Sequence, residues 1–262
     1  MENGDQKSLS LQRFTKFAQN YVSSEAHAKG YDLNRLIEIA RPRPDWVVLD
    51  IATGGGHTAL KFAPSVARVI AIDITPGMLG AAEAHLAGKG IENVAFELAD
   101  AERLPFKDNS FDLVTCRIAP HHFADCLSFV RQAARVLKKG GVLLVQDHVL
   151  PEDEGSARYV DAFERRRDPS HHRAYSESEW VGFFRAAGLK VEHMEQIAKR
   201  HALIPWAQRQ GCEPVVIERL ERMVEQAERS VREWMQPHDW GTREASFANR
   251  HIIMAGRKAG LP

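Results

Sequence analysis

Between residues 45 and 150 short aliphatic runs alternate with longer amphipathic stretches. The run Val47-Val48-Leu49 has the continuous apolar character of a strand covered on both faces, so Val47–Ile51 is read as a first strand. The pattern then predicts a helix over His57–Phe62, a strand over Arg68–Ile72, a helix over Pro76–Gly88, and strands over Val94–Leu98 and Phe111–Cys116. A helix from about Phe123 to Leu137 is expected to stop at Lys138-Lys139-Gly140-Gly141, with cations in its last turn and glycine beyond. Val142–Gln146 is a fifth strand. Regular alternation of apolar strands with helices means a parallel, doubly wound sheet.

The flanks differ. Leu9, Phe14, Phe17, Ala18 and Tyr21 fall at helical spacing, as do Leu33, Leu36, Ile37 and Ala40. The second of these helices is halted at RPRPDW, where Pro42 and Pro44 cannot donate backbone hydrogen bonds. Residues 151–177 are polar, carry the charge run ERRRD and show no strand signal. Further on, a helix over Glu179–Ala187 ends at Gly188, and a strand covers Lys190–Ala198. One apolar stripe runs through Val216, Leu220, Met223, Val224, Ala227, Val231 and Trp234, with Glu218/Arg222, Glu225/Arg229 and Glu228/Arg232 four apart on the opposite face. A last strand lies in FANRHIIMAGRK. The expected architecture is α/β: a mostly parallel, seven-stranded Rossmann-like sheet with an N-terminal helical lid and a helical cap inserted before the last strand. Residues 1–262 read as a single domain, divided into a lid (1–44), a ligand-binding core (45–150) and a cap with the final strands (151–262).

Composition narrows the function classes. The chain has 262 residues, 44% of them hydrophobic and 27% charged, enough to bury a substantial core. A formal net charge of zero and the lack of a basic tract argue against nucleic acid as a partner. No apolar run reaches membrane-spanning length. Cys116, Cys126 and Cys212 lack metal-ligand spacing and read as free thiols, which with the polar start MENGDQKSLS leads us to expect a soluble, cytoplasmic protein.

The stretch VVLDIATGGGHTAL carries the candidate chemistry. Gly54, Gly55 and Gly56 permit a tight turn and a close backbone approach to a ligand at a helix start. Gly54-x-Gly56-x-x-Ala59 satisfies the dinucleotide pattern, with Asp73 at a ribose-binding distance, so an NAD(P)-dependent oxidoreductase is one reading. The other is an S-adenosylmethionine site. Asp50 ends the first strand, where an anion suits an ammonium and a sulfonium better than a pyrophosphate. Asp73 ends the second strand, where its carboxylate can accept both ribose hydroxyls, and Asp100 follows the third, within reach of an adenine amino group. Three acids at successive strand ends converge on one crevice.

The segments VVLDIATGGGHTALKFAPSVARVIAIDITPGML, ELADAERLPFKDNSFDLVTCRIAPHHF and QAARVLKKGGVLLVQDHV resemble class I S-adenosylmethionine-dependent methyltransferases, most of all the branch of the ubiquinone/menaquinone biosynthesis methyltransferases. The resemblance runs in order through residues 46–149. It departs at Ala52, where the common loop D-x-G-x-G-x-G has glycine and this branch often has alanine. It implies S-adenosyl-L-methionine as cofactor, with Gly54 and Gly56 against its methionine part and ribose and Asp50 serving its amino group. By the same resemblance Asp73 holds the ribose, Ile74 and Met78 flank the adenine, Asp100 and the Ala101 amide read its edge, Arg117 faces the methionine end, and Tyr21 closes over the cofactor.

Transfer to oxygen or carbon generally requires a base near neutral pKa. His121 and His122 in IAPHHF, His148 in QDHV, and His171 and His172 in a segment expected to roof the pocket are the histidines on that edge. His122 is the position shared with the family; His121, His122 and His171 are the candidate bases. Adjacent histidines point in different directions, so no metal site is expected. A small-molecule methyl acceptor is expected to bind among Tyr21 to Tyr31, residues 150–176 and HALIPWAQRQGC; Trp206, Trp234 and Trp240 either stack on a flat acceptor or, the reading preferred, fill the core of the cap. A non-enzymatic S-adenosylmethionine-binding protein is a further alternative, separable by turnover.

Overall fold

The computed structural model describes residues 7–9, 11–15 and 30–260. Five parallel strands make the core: β1 (Val47–Ile51), β2 (Arg68–Asp73), β3 (Val94–Leu98), β4 (Phe111–Arg117) and β5 (Leu137–Leu150). β7 (Leu189–Ala202) and β8 (Ser246–Lys258) extend the sheet in the order β3-β2-β1-β4-β5-β8-β7, with β8 antiparallel to both neighbours. The seven strands of the sequence reading gain an eighth, the two-residue β6 (Tyr175–Ser176), which pairs with the far end of β5. Order reverses at β1/β4, so β1 and β4 splay their connections to opposite faces and open a crevice beyond their carboxyl ends.

Alternation along the strands sorts the core into two layers. Leu49, Ile51, Ile70 and Ile72 point to one face, packed by α4 (Cys126–Val136) and α6 (Glu177–Ala186). Val48, Val69 and Ala71 point to the other, against α1 (Tyr31–Ala40), α2 (His57–Phe62) and Leu86 of α3 (Pro76–Ala87). A third cluster lies under the cap, built from α5 (Glu154–Arg167), α7 (Leu203–Gln208), α8 (Pro214–Gln226), α9 (Arg229–Met235) and the start of β8.

Three expectations change. The Lys138–Gly141 stretch does not cap α4; the helix ends at Val136 and the chain enters β5 directly, with Lys138–Gly141 absorbed as a bulge between the Phe111↔Leu137 and Leu113↔Val142 pairs. Gly140 takes φ 76° there, and Lys138 Nζ bonds Asp112 at 2.8 Å instead of the helix end. Residues 151–177 contain the helix α5, started by Asp153 accepting from the Ser156 amide at 2.8 Å. Its buried side also holds Ser156, Asp161 and Glu164, so its apolar stripe was too narrow to read. The long stripe from Val216 to Trp234 is two helices, broken at Ala227, which is extended (φ −66°, ψ 144°). The break aims Leu220 and Val224 at α5 and lets Val231 and Met235 reach α5 and β8. Within the second helix, Arg229 pairs with Glu233 at 2.6 Å.

Candidate active site

The crevice at the carboxyl ends of β1, β2 and β4 holds a cleft that opens to solvent. Its floor is the glycine loop. Ala52 (φ 52°) and Gly54 (φ 54°) turn the chain, and the Thr53 amide donates to the Ile72 carbonyl at 2.9 Å, which ties the loop to β2. Gly54 and Gly55 line the cleft. Gly56 (φ 78°) does not: a Cβ there would lie 2.7 Å from Leu86 and 3.2 Å from Ala82, so its hydrogen lets the loop seat on α3. Gly56, expected against a ligand, is the residue directly after the lining pair and faces α3 instead.

Asp73 closes the floor. Its Oδ2 accepts the Gly54 amide at 3.1 Å and its Oδ1 the Thr75 amide at 2.9 Å, and both oxygens keep lone pairs for hydroxyl donors. Burial pushes this carboxyl up, against the pull of the Thr75 and Gly54 amides. Ile74 and Met78 stand beside it, and Ala101 and Asp100 form the adjoining wall. Asp100 Oδ2 takes Lys7 Nζ at 2.7 Å and its Oδ1 the Glu102 amide at 2.9 Å.

Asp50 is not in the cleft. It is 1% exposed beneath the loop, where Thr53 Oγ1 and Thr115 Oγ1 donate to its two oxygens at 2.7 and 2.8 Å. Burial raises it to about 6, those two hydroxyls opposing. Its role is to hold Thr53, a lining residue, rather than to meet a ligand itself.

At the opposite end Arg117 enters the cleft with its guanidinium anchored, Nε and Nη2 donating to Asp32 Oδ2 at 2.9 and 2.7 Å. Lys199 Nζ reaches the same oxygen at 2.7 Å. Burial pushes Asp32 up, but the charges of Arg117 and Lys199 outweigh it and hold the carboxyl well below its usual range. Ile118, next in the cleft wall, sits at φ 54°, a conformation costly for a β-branched residue and typical of functional sites.

Of the three candidate bases only His122 lines the cleft. Its Nδ1 lies 2.9 Å from the Ser170 carbonyl; a carbonyl only accepts, so the neutral ring carries its proton on Nδ1 and its lone pair on Nε2. Burial lowers its pKa, with Asp168 opposing. Phe14 meets this ring edge-on at 4.9 Å. His121 and His171 are 5% and 2% exposed behind His122 and outside the cleft wall, which corrects their placement as bases and the expectation that His171 roofs the pocket. His121 Nδ1 binds Asp147 Oδ1 at 2.6 Å and His171 Nε2 binds Asp161 Oδ1 at 2.7 Å. Burial drives His121 and His148 well below the usual histidine range and lifts Asp147 to about 7.

Tyr21, expected to close the site, lies outside the described residues. Lys7, Phe14, Thr53, His57, Glu102 and Phe123 line the cleft without having been singled out. Thr53 was findable as the residue inside the loop motif; Lys7 and Phe14 carry no local signal, since their partners Glu102 and His122 lie far along the chain. The tryptophans are packing groups: Trp206 is 2% exposed and stacks on Phe163, and Trp240 Nε1 donates to the Glu221 carbonyl.

Residues 42–228 match the protein family described as a methyltransferase domain. The methyltransferase YcgJ of Bacillus subtilis is 44% identical over 183 residues, 70% of this chain and 72% of that one. The ubiquinone/menaquinone biosynthesis C-methyltransferase UbiE of Shewanella frigidimarina is 38% identical over 131 residues, 48% of this chain and 52% of that one. The crystal structure of BH2331 from Bacillus halodurans C-125 superposes with a TM-score of 0.84 at 37% identity, covering 88% of this chain and 100% of that one. That of YcgJ gives 0.85 at 36% identity over 88% and 99%. Among the described residues no helix is long and apolar enough to cross a membrane.

Proposed function

Because the chain belongs to the methyltransferase-domain family and is an enzyme of that class, we propose that it moves a methyl group from S-adenosylmethionine to a small, partly apolar acceptor by in-line displacement. The observation that carries this reading is Asp73, fixed by the Gly54 and Thr75 amides with lone pairs left at the cleft floor. A carboxylate held in that way suits a ribose diol, and membership of the methyltransferase family supports S-adenosylmethionine over a dinucleotide as the source of that ribose. The rest of the cleft fits the same cofactor. Ile74 and Met78 offer apolar faces to an adenine, and Asp100 with the Ala101 amide offers hydrogen bonds to its edge. Gly54 and Gly55 leave room for backbone contact with the methionine portion, and Arg117 supplies a fixed cation for its carboxylate. When bound, S-adenosylmethionine supplies a methyl carbon already activated by a sulfonium leaving group.

What the chain must add is orientation and, for an oxygen or carbon acceptor, a base. Phe14, Ile118, Ala119 and Phe123 give the acceptor end an apolar wall, and His122 is set into that wall with Nε2 as its lone-pair atom. His122 is thus assigned to remove the acceptor's proton.

Calorimetric titration with S-adenosylhomocysteine, and with NAD in parallel, tests the cofactor. The first should bind and the second should not. Asp73→Ala should weaken the first by about 1–3 kcal/mol, the cost of unpaired hydroxyls. Binding of NAD alone would replace this reading with an oxidoreductase. Binding without turnover of labelled methyl donor on any acceptor would replace it with a carrier.

A further inference from the structure

Behind His122, outside the cleft wall, three histidines from separate elements come together. His121 sits in the short turn Pro120–His122 after β4, His148 on β5, and His171 in the loop after α5. One ring nitrogen of each lies within 4.8 Å of the others, and among the described residues these three are the group so arranged. We propose that His121, His148 and His171 form a site for a divalent transition-metal ion of the zinc type, which ties the cap to the edge of the core sheet.

The surroundings are those of a histidine metal site. A ligating imidazole almost always gives its second nitrogen to a carboxylate or carbonyl, which fixes the ring and its tautomer. Here His121 Nδ1 is on Asp147 and His171 Nε2 is on Asp161, which leaves Nε2 of His121 and Nδ1 of His171 as the lone-pair atoms. Both carboxylates are themselves held. Asp147 Oδ2 accepts the His121 amide at 2.7 Å, and Asp161 accepts the Ala174 amide at 2.9 Å and Arg165 at 2.6 Å. His148 Nδ1 is buried and has no hydrogen-bond partner among the described residues, a state that burial makes costly and that a metal ion would relieve. Two buried carboxylates beside three imidazoles also supply negative charge for a dication.

The loop is pinned for the purpose: the His172 and Arg173 amides both donate to the His121 carbonyl, at 2.8 and 3.0 Å. Coordination asks for two local movements. Nitrogens about 2.0–2.1 Å from zinc lie about 3.3 Å apart in a tetrahedron, so the donors draw in. The His148 ring, now stacked on His121 at 4.4 Å and 9°, rotates so that its lone pair converges rather than running alongside. Three protein ligands leave a fourth position open. Imidazole-only ligation favours zinc, copper, iron or nickel over magnesium or calcium. This site does not depend on the methyl-transfer reading.

The full chain, stripped with a chelator and shown by circular dichroism to remain folded, is titrated with Zn2+ and separately with Co2+. The expected result is one ion per chain, with cobalt absorption in the visible and X-ray absorption counting three imidazole nitrogens on zinc. His148→Ala should abolish stoichiometric binding, and Asp161→Asn should keep the stoichiometry while weakening the affinity about 10–100-fold. No uptake by the wild-type chain, equal uptake by His148→Ala, or fewer than three imidazoles on the bound ion would each overturn the proposal. The X-ray count is made on the wild-type chain, so it decides the matter even if His148→Ala fails to fold. S-adenosylhomocysteine binding on the same samples separates the two readings: a chain that binds it but takes no ion keeps the methyl-transfer function and loses the metal site.

Discussion

At the scale of single residues, an acid at a strand end was legible as belonging to the ligand edge, but not which way it points. Asp73 and Asp100 line the cleft, whereas Asp50, in register with Ala71 two residues before Asp73, turns under the loop to Thr53 and Thr115. Strand alternation assigns faces; it does not say whether the last side chain is captured by a neighbouring hydroxyl. Ala52 illustrates the same limit from the other side. Its φ of 52° shows why the family's usual residue there is glycine, and the chain accepts the strain of alanine within a loop fixed by the Thr53–Ile72 hydrogen bond. The histidine pair is the sharpest case, because two adjacent residues part company: His122 faces the cleft and His121 the buried cluster. His122→Ala should therefore lower kcat by about 10²–10⁴-fold, the usual contribution of a positioned base, with S-adenosylhomocysteine affinity unchanged. Steady-state kinetics beside calorimetry checks this; equal loss of both would make His122 a wall of the cofactor site and no base.

At the scale of elements, the five strands and three α-helices of the 45–150 core were legible from periodicity, β5 only in its middle, since each buries its apolar positions against the sheet and little else. Elements held by polar contacts were hidden. α5 is one; the tie between α1, β4 and β7 is another, because Asp32, Arg117 and Lys199 have no motif in common and meet only when the sheet forms. Asp32 is 1% exposed and neutralises two cations, one of them almost fully buried. Asp32→Asn leaves both without a counter-charge among the described residues and should cost about 3–5 kcal/mol, read as a lower denaturant midpoint. The pH dependence follows in sign. The folded carboxyl is held below its unfolded value of about 3.9, so this stabilisation is complete above that pH and is lost as pH falls through the folded pKa. The wild-type chain should thus lose more stability on acidification than Asp32→Asn does; parallel acid profiles would remove Asp32 from the account.

At the scale of the whole molecule, the cleft and the cap have separate cores joined by β8. Its first residues, such as Phe247, pack in the cap cluster, and Ile252, Ile253 and Met254 pack on the two faces of the sheet. Composition could show that enough apolar mass exists for both cores but not how it divides, because the division rests on contacts between α5, α7 and β8 spread over residues 154–258. Phe163 is the centre of the cap core: fully buried, stacked on Trp206 at 5.4 Å and edge-on to Phe247 at 5.4 Å. Phe163→Ala removes a whole ring from that contact and should destabilise the chain by about 3–5 kcal/mol. The floor of the cleft is built from the loop after β1 and the end of β2, which lie outside the cap cluster that holds that ring, so S-adenosylhomocysteine should bind the folded variant with wild-type affinity. Denaturant unfolding and calorimetry on one preparation test both halves. A folded variant that binds the cofactor more weakly would show that the cap shapes the cofactor site as well as covering the sheet edge.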